Sequence, residues 1–397
     1  MTYSVATNFD DKLPQRLAGL DVHELFGACD QTPLGHGRPR AVTPPVTWRQ
    51  LARHVDHCRD SGIGFNLLLN PVCLEGREQS THLERRLRRT LARAVDMGVT
   101  GVTVAHPWLV ELARETALQI RVSVFVGIAT VEAAAYWESV GAHVLALDTH
   151  ILSRDLPRIR KIAASCQHAE IELPVNIGCL LRCPLARTHA ARLSHSSRRG
   201  AQPVDACVQW CRELKRTNPQ HLIRADFIRP EDLDLYQRLG VHLFKVVDRS
   251  CSTDALVERV RSYRNGRWDG NLLELLGPKG SPPRRRRLPI IDALRHLGVR
   301  RTIAAVRQAD SLLDSSLPWV VDNHALDGLL LENGCSATGC DTCGHCAGLA
   351  AKAVRPGVHQ STAGTATRAG SASEISDSVQ RQMTATANSD RDQPQRR

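Results

Sequence analysis

The sequence is poor in aromatic residues and lacks long apolar runs. Phe, Trp and Tyr together make up 4% of its 397 residues, which argues against an extended surface on which nucleic-acid bases would stack. No stretch approaches the roughly 18 to 20 apolar residues of a membrane-spanning helix. The opening residues, MTYSVATNFDDK, have neither a basic start nor an apolar core. We therefore predict neither a signal peptide nor a membrane span.

Two catalytic motifs are also missing. The HExxH motif of many metallopeptidases does not occur. Radical S-adenosylmethionine enzymes typically carry C-x-x-x-C-x-x-C, but Ala186 stands where the third cysteine would be. The 13 cysteines are too sparse for a small secreted module stapled by disulfides. We expect a cytoplasmic protein that keeps its thiols reduced.

The charge balance is basic. Lys and Arg number 52 against 41 Asp and Glu, a net charge of +11, which suits an anionic partner such as RNA, a phosphorylated compound or a carboxylate. Part of the excess is one run, Arg284 to Arg287, flanked by prolines. We interpret this run as a solvated linker. A non-catalytic metal- or RNA-binding role stays open, although the charge alone is weak support for it.

Short apolar runs alternate with amphipathic helical patterns. The runs are GFNLLLN (64–70), GVTVAHP (101–107), RVSVFVG (121–127), HVLALDT (143–149), IELPVNI (171–177), HLIRADFI (221–228) and VHLFKVV (241–247). Helical patterns ending in glycine, such as THLERRLRRTLARAVDMG, separate them. This alternation indicates parallel strands buried on both faces. With a first strand near VHELFGA (22–28), the pattern favours an α/β fold, a TIM-like β/α barrel, over a doubly wound sheet.

Four segments are predicted along the chain. Residues 1–45 form an irregular N-terminal segment that includes the first strand, and residues 46–265 form the barrel. Residues 266–355 form an extension with a small cysteine-rich subdomain. Residues 356–397 are rich in Ser, Thr, Ala, Gln and Arg with almost no large apolar residues. Such a segment buries too little surface to offset its ordering entropy, so a disordered tail is predicted.

Four cysteines fall as two matched C-x-x-x-C pairs, Cys179 with Cys183 and Cys207 with Cys211. Residues four apart lie on one face of a helix, so helical character is predicted for both pairs. Four thiolates can hold one zinc ion or one iron–sulfur cluster. The first pair follows the apolar run IELPVNI, which would place the metal at the mouth of the barrel, where barrel enzymes keep their active sites.

A second cysteine group, CSATGCDTCGHC, lies near the C-terminus. Its short spacings predict another metal site, a structural zinc or a second iron–sulfur cluster, from Cys335, Cys340, Cys343 and Cys346. We interpret it as a staple for a small subdomain. Lone structural roles are predicted for Cys29, Cys58, Cys73, Cys166 and Cys251.

Polar side chains end several of the predicted strands. We predict a catalytic group of His106, Asp148, Asn176 and Lys245. Arginines bind carboxylates and phosphates in bidentate fashion, so the predicted substrate anchors are Arg187, Arg198, Arg229 and Arg249. A serine peptidase would need Ser194 or Ser196 beside His189 or His195, and a local hydrogen-bonding cluster is the preferred interpretation of these residues.

Several segments together resemble one family. FNLLLNPVCL, GVTVAHPWL, VNIGCLLRCPLARTHAARLSHSS and FIRPEDLDLYQRLGVHLFKVVDR resemble peptidase family U32, the collagenase-like proteases. The resemblance covers residues 22–265, and one branch of the family also has the C-terminal cysteine group. The better-understood relatives are oxygen-independent hydroxylases of ubiquinone biosynthesis and enzymes that hydroxylate transfer or ribosomal RNA bases. They share a four-cysteine iron–sulfur cluster and draw the hydroxyl oxygen from prephenate.

The resemblance implies a function and a set of ligands. It implies that the cysteines of the two C-x-x-x-C pairs hold a 4Fe–4S cluster, and that the protein is an iron–sulfur hydroxylase of a small molecule or of RNA. Prephenate would be its oxygen donor. A second subunit or an electron donor is the expected protein partner. Cleavage of peptides by a U32-type peptidase remains the alternative.

Overall fold

A computed structural model describes most of the chain. The described residues are 1–40, 43, 45–198, 206–248, 250–277, 279, 290–307, 317–331, 335 and 340–357. Only the backbone is described at 206, 292, 301, 304–307 and 341. The predicted disordered tail therefore lies outside the described residues, apart from its first two positions. No helix in these ranges has the length and apolar character needed to cross a membrane.

Eight parallel strands close into a barrel. They are β1 (Thr2–Ala6), β2 (Val22–Gly27), β3 (Gly64–Leu69), β4 (Gly101–Val104), β5 (Gln119–Val122), β6 (Val144–Ala146), β7 (Glu170–Pro174) and β8 (Leu243–Val246). Each strand pairs with the next, and β1 also pairs with β8 to close the ring. The predicted TIM-like β/α barrel is confirmed. It forms because each short apolar run is followed by a helix that covers its outer face.

Two of the strand predictions are wrong. The first strand is β1 rather than VHELFGA, which forms β2, so the barrel begins at Thr2 and not after residue 45. HLIRADFI is not a strand: Gln220–Ile223 is a helical turn, and only Ala225 makes an isolated bridge, to Leu180. Ile223, Phe227 and Ile228 are buried. The apolar residues of this run therefore fill the core rather than form a ladder.

Helices cover the barrel. They are α1 (Leu13–Leu17), α2 (Trp48–Asp60), α3 (Thr81–Asp96), α4 (Pro107–Arg114), α5 (Val131–Ser139), α6 (Thr149–Leu152), α7 (Leu156–Ser165), α8 (Ala186–Ser196), α9 (Ala206–Thr217), α10 (Gln220–Ile223), α11 (Leu233–Gln237) and α12 (Thr253–Arg264). The helical patterns of the sequence correspond to α2, α3 and α5. Helix α2 begins with a complete capping box between Thr47 and Gln50.

The C-terminal extension packs in the same compact unit as the barrel, which spans Met1–Pro356. Its elements are α13 (Leu272–Leu276), α14 (Ile290–Arg307, kinked at Gly298), β9 (Trp319–Val321), α15 (Cys340–Cys343), α16 (His345–Ala353) and β10 (Val354–Pro356). Strands β9 and β10 pair antiparallel. Arg229 donates to the carbonyl of Asn323 at 3.1 Å, and the Trp319 indole donates to the carbonyl of Lys215 at 3.1 Å. No boundary at 265/266 divides the described chain.

Charged side chains of the barrel strands fill the interior of the barrel, called the lumen below. Arg121 on β5 pairs with Glu24 on β2 at 2.8 Å and with Glu172 on β7. Lys245 on β8 lies 3.1 Å from Glu172 and 4.3 Å from the ring centroid of Phe26. Burial alone would raise the pKa of Glu24, but Arg121, His23, Lys245 and a hydrogen bond from Ser4 together more than offset it, so that pKa is lowered. Two acids and two bases therefore neutralise each other where water is excluded.

Candidate functional site

Three side chains from separate segments meet beyond the carboxyl ends of β6 and β7. Asp226 is fully buried, and its Oδ1 accepts a hydrogen bond from the Cys179 backbone N–H at 2.9 Å. Its Oδ2 lies 2.5 Å from Nδ1 of His150 and 3.3 Å from Oγ1 of Thr149. Asp226 thereby fixes both the loop that carries Cys179 and the ring of His150.

The ligating atoms of His150, Cys179 and Asp226 lie within 4.8 Å of one another. Within the described ranges, this is the one set of three such atoms that meets that distance. Imidazole, thiolate and carboxylate together suit a transition-metal ion. The same three groups also resemble a nucleophile, its base and an orienting acid. The arrangement thus supports two kinds of chemistry.

The Cys179 thiol is in an environment that disfavours its charged form. Burial raises the pKa of Cys179, and the Asp226 carboxylate and the nearby Cys211 raise it further. Lys215 and Arg38 act in the opposite direction but do not offset these effects. A sulfur in this environment becomes a stable thiolate only next to an additional positive centre, such as a metal.

The two C-x-x-x-C pairs differ in conformation. Cys207 and Cys211 lie one turn apart on α9, as predicted. The prediction of helical character for the first pair is wrong. Cys179 lies in an antiparallel segment, where its carbonyl accepts from the Asp226 N–H at 2.9 Å. The backbone N–H of Cys183 donates to the Leu180 carbonyl at 3.2 Å and closes a turn. The left-handed backbone of Arg182, with φ of 56°, reverses the chain between the two cysteines.

The spacing of these four thiols bears on which metal they suit. No three of them lie within 4.8 Å of one another in the part of the chain that the structure describes. Zinc holds sulfur at about 2.3 Å, so four zinc thiolates lie within about 4 Å of each other. A four-iron cluster spreads its thiolates farther apart because the irons and sulfides lie between them. These thiols are therefore not already gathered as a zinc ion would hold them, and as a donor set four thiolates suit either a zinc ion or an iron–sulfur cluster.

The four predicted catalytic residues do not form one group. His106 caps α4, with its Nδ1 accepting from the Trp108 N–H at 3.2 Å. Asn176 is buried and joins β7 to β8, donating to the Val247 carbonyl at 3.0 Å and accepting from the Val247 N–H at 2.7 Å. Lys245 lies in the lumen network. Of the four, Asp148 lies beside the candidate site, as the cap of α6.

The predicted substrate arginines are dispersed as well. Arg187 pairs with the buried Asp148 and donates to the Phe125 carbonyl at 3.2 Å, while about half of its side chain stays exposed. Arg198 pairs with Glu75. Arg229 makes two hydrogen bonds to Asp232, at 2.8 and 3.0 Å. Arg249 lies outside the described residues. Among the predicted arginines that the structure describes, Arg187 lies beside the candidate site through its pair with Asp148.

The predicted site residues leave out three contributors to this site. His150 follows β6, Asp226 follows a helical turn, and Arg38 belongs to the GHGRP loop of the N-terminal segment. Arg38 lies close to Cys179 and Asp248, and its positive charge acts to lower the pKa of both side chains. Burial, which acts to raise both pKa values, is the larger single effect. Gly37 packs so closely on Phe125 that a Cβ atom would overlap its ring. The glycines of GHGRP were the feature of the sequence that could have indicated this close approach, because glycine has no Cβ atom.

The serines of α8 hold neighbouring loops. The Ser194 hydroxyl is buried, donates to the Ala190 carbonyl at 3.0 Å and accepts from the Val72 N–H at 2.9 Å. Ser196 donates to the Leu193 carbonyl at 3.2 Å. Nδ1 of His195 lies 2.9 Å from a carboxylate oxygen of Glu75. These contacts match the local hydrogen-bonding cluster rather than a serine nucleophile with its base.

The C-terminal cysteines lie close to the first group. The Cys335 N–H donates to the Arg154 carbonyl at 2.9 Å, and Arg182 donates to the Cys335 carbonyl at 2.7 Å. Burial raises the pKa of Cys335, and the nearby Cys346 and Cys340 raise it further. Arg154 also donates to Sγ of Cys346 at 3.3 Å. The second cysteine group therefore shares its supporting residues with the barrel mouth.

Comparisons with known proteins agree on the family. The profile of peptidase family U32 matches residues 36–267, more than half of the chain. A protein of Methanocaldococcus jannaschii named as an uncharacterized protease is 27% identical over 324 residues, covering 80% of this chain and 86% of its own. A solved U32 peptidase, Mk0906, is 24% identical with a TM-score of 0.48, and the match covers 62% of this chain and 93% of that one. The native KDPGal structure is 11% identical with a TM-score of 0.37, covering 67% and 94%. The chain belongs to peptidase family U32.

Proposed function

We propose that this protein is an iron–sulfur-dependent modifying enzyme, an oxygen-independent hydroxylase of a small molecule or of RNA. The observation that carries the proposal is the position of the half-buried Cys179 at the barrel mouth, where its backbone N–H donates to Asp226 and Cys211 lies nearby. Two neighbouring thiolates and a carboxylate repel one another in a poorly solvated site. A cationic cluster bound to the sulfurs would remove that repulsion.

The proposed ligands are Cys179, Cys183, Cys207 and Cys211. A 4Fe–4S cluster held by these four thiolates would supply one-electron chemistry at the active-site end of the barrel. The N–H of Cys179 is held by Asp226 at 2.9 Å, which fixes the ligand loop before any cluster binds. Preorganised outer contacts of this kind orient metal ligands.

The remaining side chains at the mouth would bind an anionic substrate. Arg187 is anchored by Asp148 on one side and stays half exposed on the other. Its planar guanidinium can form paired hydrogen bonds with a carboxylate or a phosphate. Prephenate, a dicarboxylate, is our proposal for the oxygen donor at this position. Nδ1 of His150 lies 2.5 Å from Oδ2 of Asp226, and we propose that this oriented imidazole serves as an acid or a base next to the sulfurs.

The proposed cellular setting follows from the same chemistry. Apart from Cys207, the cysteines form no disulfide in the described structure. Free thiols and an oxygen-sensitive cluster both suit the reducing cytoplasm. We propose an electron donor or a second subunit as the protein partner. The net charge of +11 favours an anionic substrate, whether a small acid or RNA.

A second candidate function is a cysteine-dependent hydrolase, and one observation favours it. Cys179, His150 and Asp226 have the composition of a cysteine nucleophile, a histidine base and an orienting carboxylate. Peptide hydrolysis would also agree with the family's name. Against it, burial and Asp226 raise the pKa of Cys179, whereas a cysteine nucleophile needs a lowered one.

One experiment separates the two candidates. The protein is purified anaerobically, and iron and acid-labile sulfide are measured in the wild type, Cys179→Ser, Cys211→Ser and the control Cys166→Ser. We expect iron and sulfide to fall by about four each per chain in the first two variants and to remain unchanged in the control. Metal-free wild type that cleaves peptides, with cleavage lost in Cys179→Ser and His150→Gln, would decide for the hydrolase. Zinc in place of iron at the mouth would contradict the hydroxylase.

A further inference from the structure

The two cysteine groups are connected by a short chain of direct contacts. Arg182 immediately precedes Cys183, and its guanidinium donates to the Cys335 carbonyl at 2.7 Å. The N–H of Cys335 in turn donates to the Arg154 carbonyl at 2.9 Å. A metal centre on the C-terminal cysteines would therefore be a neighbour of the centre proposed at the mouth.

Arg154 contacts both groups. It is buried, donates through Nη1 to Sγ of Cys346 at 3.3 Å and through Nη2 to the Ala225 carbonyl at 2.9 Å. Ala225 directly precedes Asp226, which holds Cys179. A hydrogen bond from a buried guanidinium stabilises negative charge on the sulfur. Hydrogen bonds to ligand sulfurs are also a principal means of setting the reduction potential of an iron–sulfur cluster.

The thiols of the C-terminal group are not already gathered as a single zinc ion would hold them. Among the described residues, no three thiols of the C-terminal group lie within 4.8 Å of one another. Zinc ligation would bring four thiolates within about 4 Å. A metal site that only stabilised a small subdomain would also not require a buried arginine that donates a hydrogen bond to one of its sulfurs.

We propose that Cys335, Cys340, Cys343 and Cys346 hold a second iron–sulfur cluster that passes single electrons to the mouth of the barrel, with Arg154 as the residue that sets its potential. This inference rests on the proposed function. A reduced one-electron carrier of the ferredoxin class loses one electron to the C-terminal centre. The same electron then moves to the mouth centre, which is reduced as the C-terminal centre is reoxidised. No covalent bond forms or breaks in this transfer.

The test uses the full chain, purified anaerobically. Cys343→Ser is the main variant because Cys343 is exposed, so its replacement preserves the packing. Cys346→Ser is the second variant, and Cys166→Ser is the matched control. We expect iron to fall from about eight to about four per chain in both variants, with the control unchanged. Electron paramagnetic resonance of the dithionite-reduced wild type should show two interacting signals, and each variant should show one isolated signal.

The rate and the potential supply two further readouts. Reduction of the mouth centre by a reduced ferredoxin should slow at least about tenfold in Cys343→Ser, a rise of about 1.4 kcal/mol or more in the barrier by the standard conversion. In Arg154→Lys, a redox titration should show a larger midpoint shift for the C-terminal signal than for the mouth signal, because the Arg154 guanidinium donates directly to Sγ of Cys346. Zinc at this group, or unchanged iron and an unchanged reduction rate in both cysteine variants, would overturn the inference. Iron retained in Cys179→Ser would instead overturn the proposed mouth cluster, so the two failures are distinguishable.

Discussion

Nδ1 of His150 and Oδ2 of Asp226 lie 2.5 Å apart, although 76 positions separate the two residues in the chain. Their contact joins the segment after β6 to the segment that returns from α10. Burial would lower the pKa of His150, but the Asp226 hydrogen bond and charge raise it overall. The pair places an ion-paired imidazole beside Cys179, at the end of the barrel where the proposed chemistry takes place.

Removing the central arginine of the lumen should destabilise the barrel strongly. Arg121→Met leaves Glu24 and Glu172 buried without their main partner, and loss of one member of a buried ionic network costs about 3 to 5 kcal/mol. Urea unfolding at pH 7 measures the change. Arg88→Met removes an exposed arginine from α3 and should have little effect. Adding Glu172→Gln to Arg121→Met should recover part of the lost stability. Equal stability of Arg121→Met and Arg88→Met would contradict the network.

The buried carboxylate of Asp248 should make stability depend on pH in the acid range. Burial alone would raise the pKa of Asp248, but Arg38, Arg259 and hydrogen bonds from Ser250 lower it. A native pKa below the unfolded value gives stability that is present above about pH 4 and is lost as pH falls through the native pKa.

Asp248→Asn removes this contribution while tolerating the left-handed backbone at that position, where φ is 96°. We expect the variant to be about 2 kcal/mol less stable than the wild type at pH 7. The difference should shrink as the pH falls below 4. Unfolding curves at pH 7, 5, 4 and 3 test this, and a difference that stays constant with pH would show that the charge of Asp248 is not the cause.

Ser194 should matter for stability rather than for catalysis. Ser194→Ala leaves the Val72 N–H without its acceptor, and an unsatisfied buried donor costs about 1 to 3 kcal/mol. The matched control is Ser196→Ala, whose hydroxyl contacts the Leu193 carbonyl alone among the contacts described. Thermal unfolding and iron content are measured for both variants. Loss of peptide cleavage in Ser194→Ala without loss of stability would revive the serine peptidase.

Two truncations should behave differently. Ending the chain after Gly357 keeps the compact unit Met1–Pro356 whole, so folding and metal content should be unchanged. Ending it before Cys335 removes β10, the buried Leu349 of α16 and four metal-ligand candidates. Metal binding contributes on the order of 10 kcal/mol to small metal-dependent units. We expect the shorter protein to aggregate or to lose about four iron per chain. Equal solubility and metal content would show that these cysteines bind nothing.

The sequence by itself determined the barrel and where its chemistry would be sought. Periodicity is a local property, so the alternation of apolar runs such as GFNLLLN with amphipathic helices was enough to predict parallel strands. The position of Cys179 after β7 was local as well. The N-terminal strand TYSVA was missed because its five residues become a strand only between β2 and β8.

Only the tertiary structure decided which polar residues meet. His106, Asn176 and Lys245 each follow or occupy a strand, yet their roles differ. His106 caps a helix, Asn176 joins two strands, and Lys245 pairs with a buried carboxylate inside the barrel. Closure of the barrel brings His150 and Asp226 to Cys179 and brings Arg154 to Cys346 across 192 positions. Such long-range contacts depend on how loops of different lengths return over the mouth. No local pattern encodes them, because the free energy that selects them arises from burial and charge pairing in the folded chain.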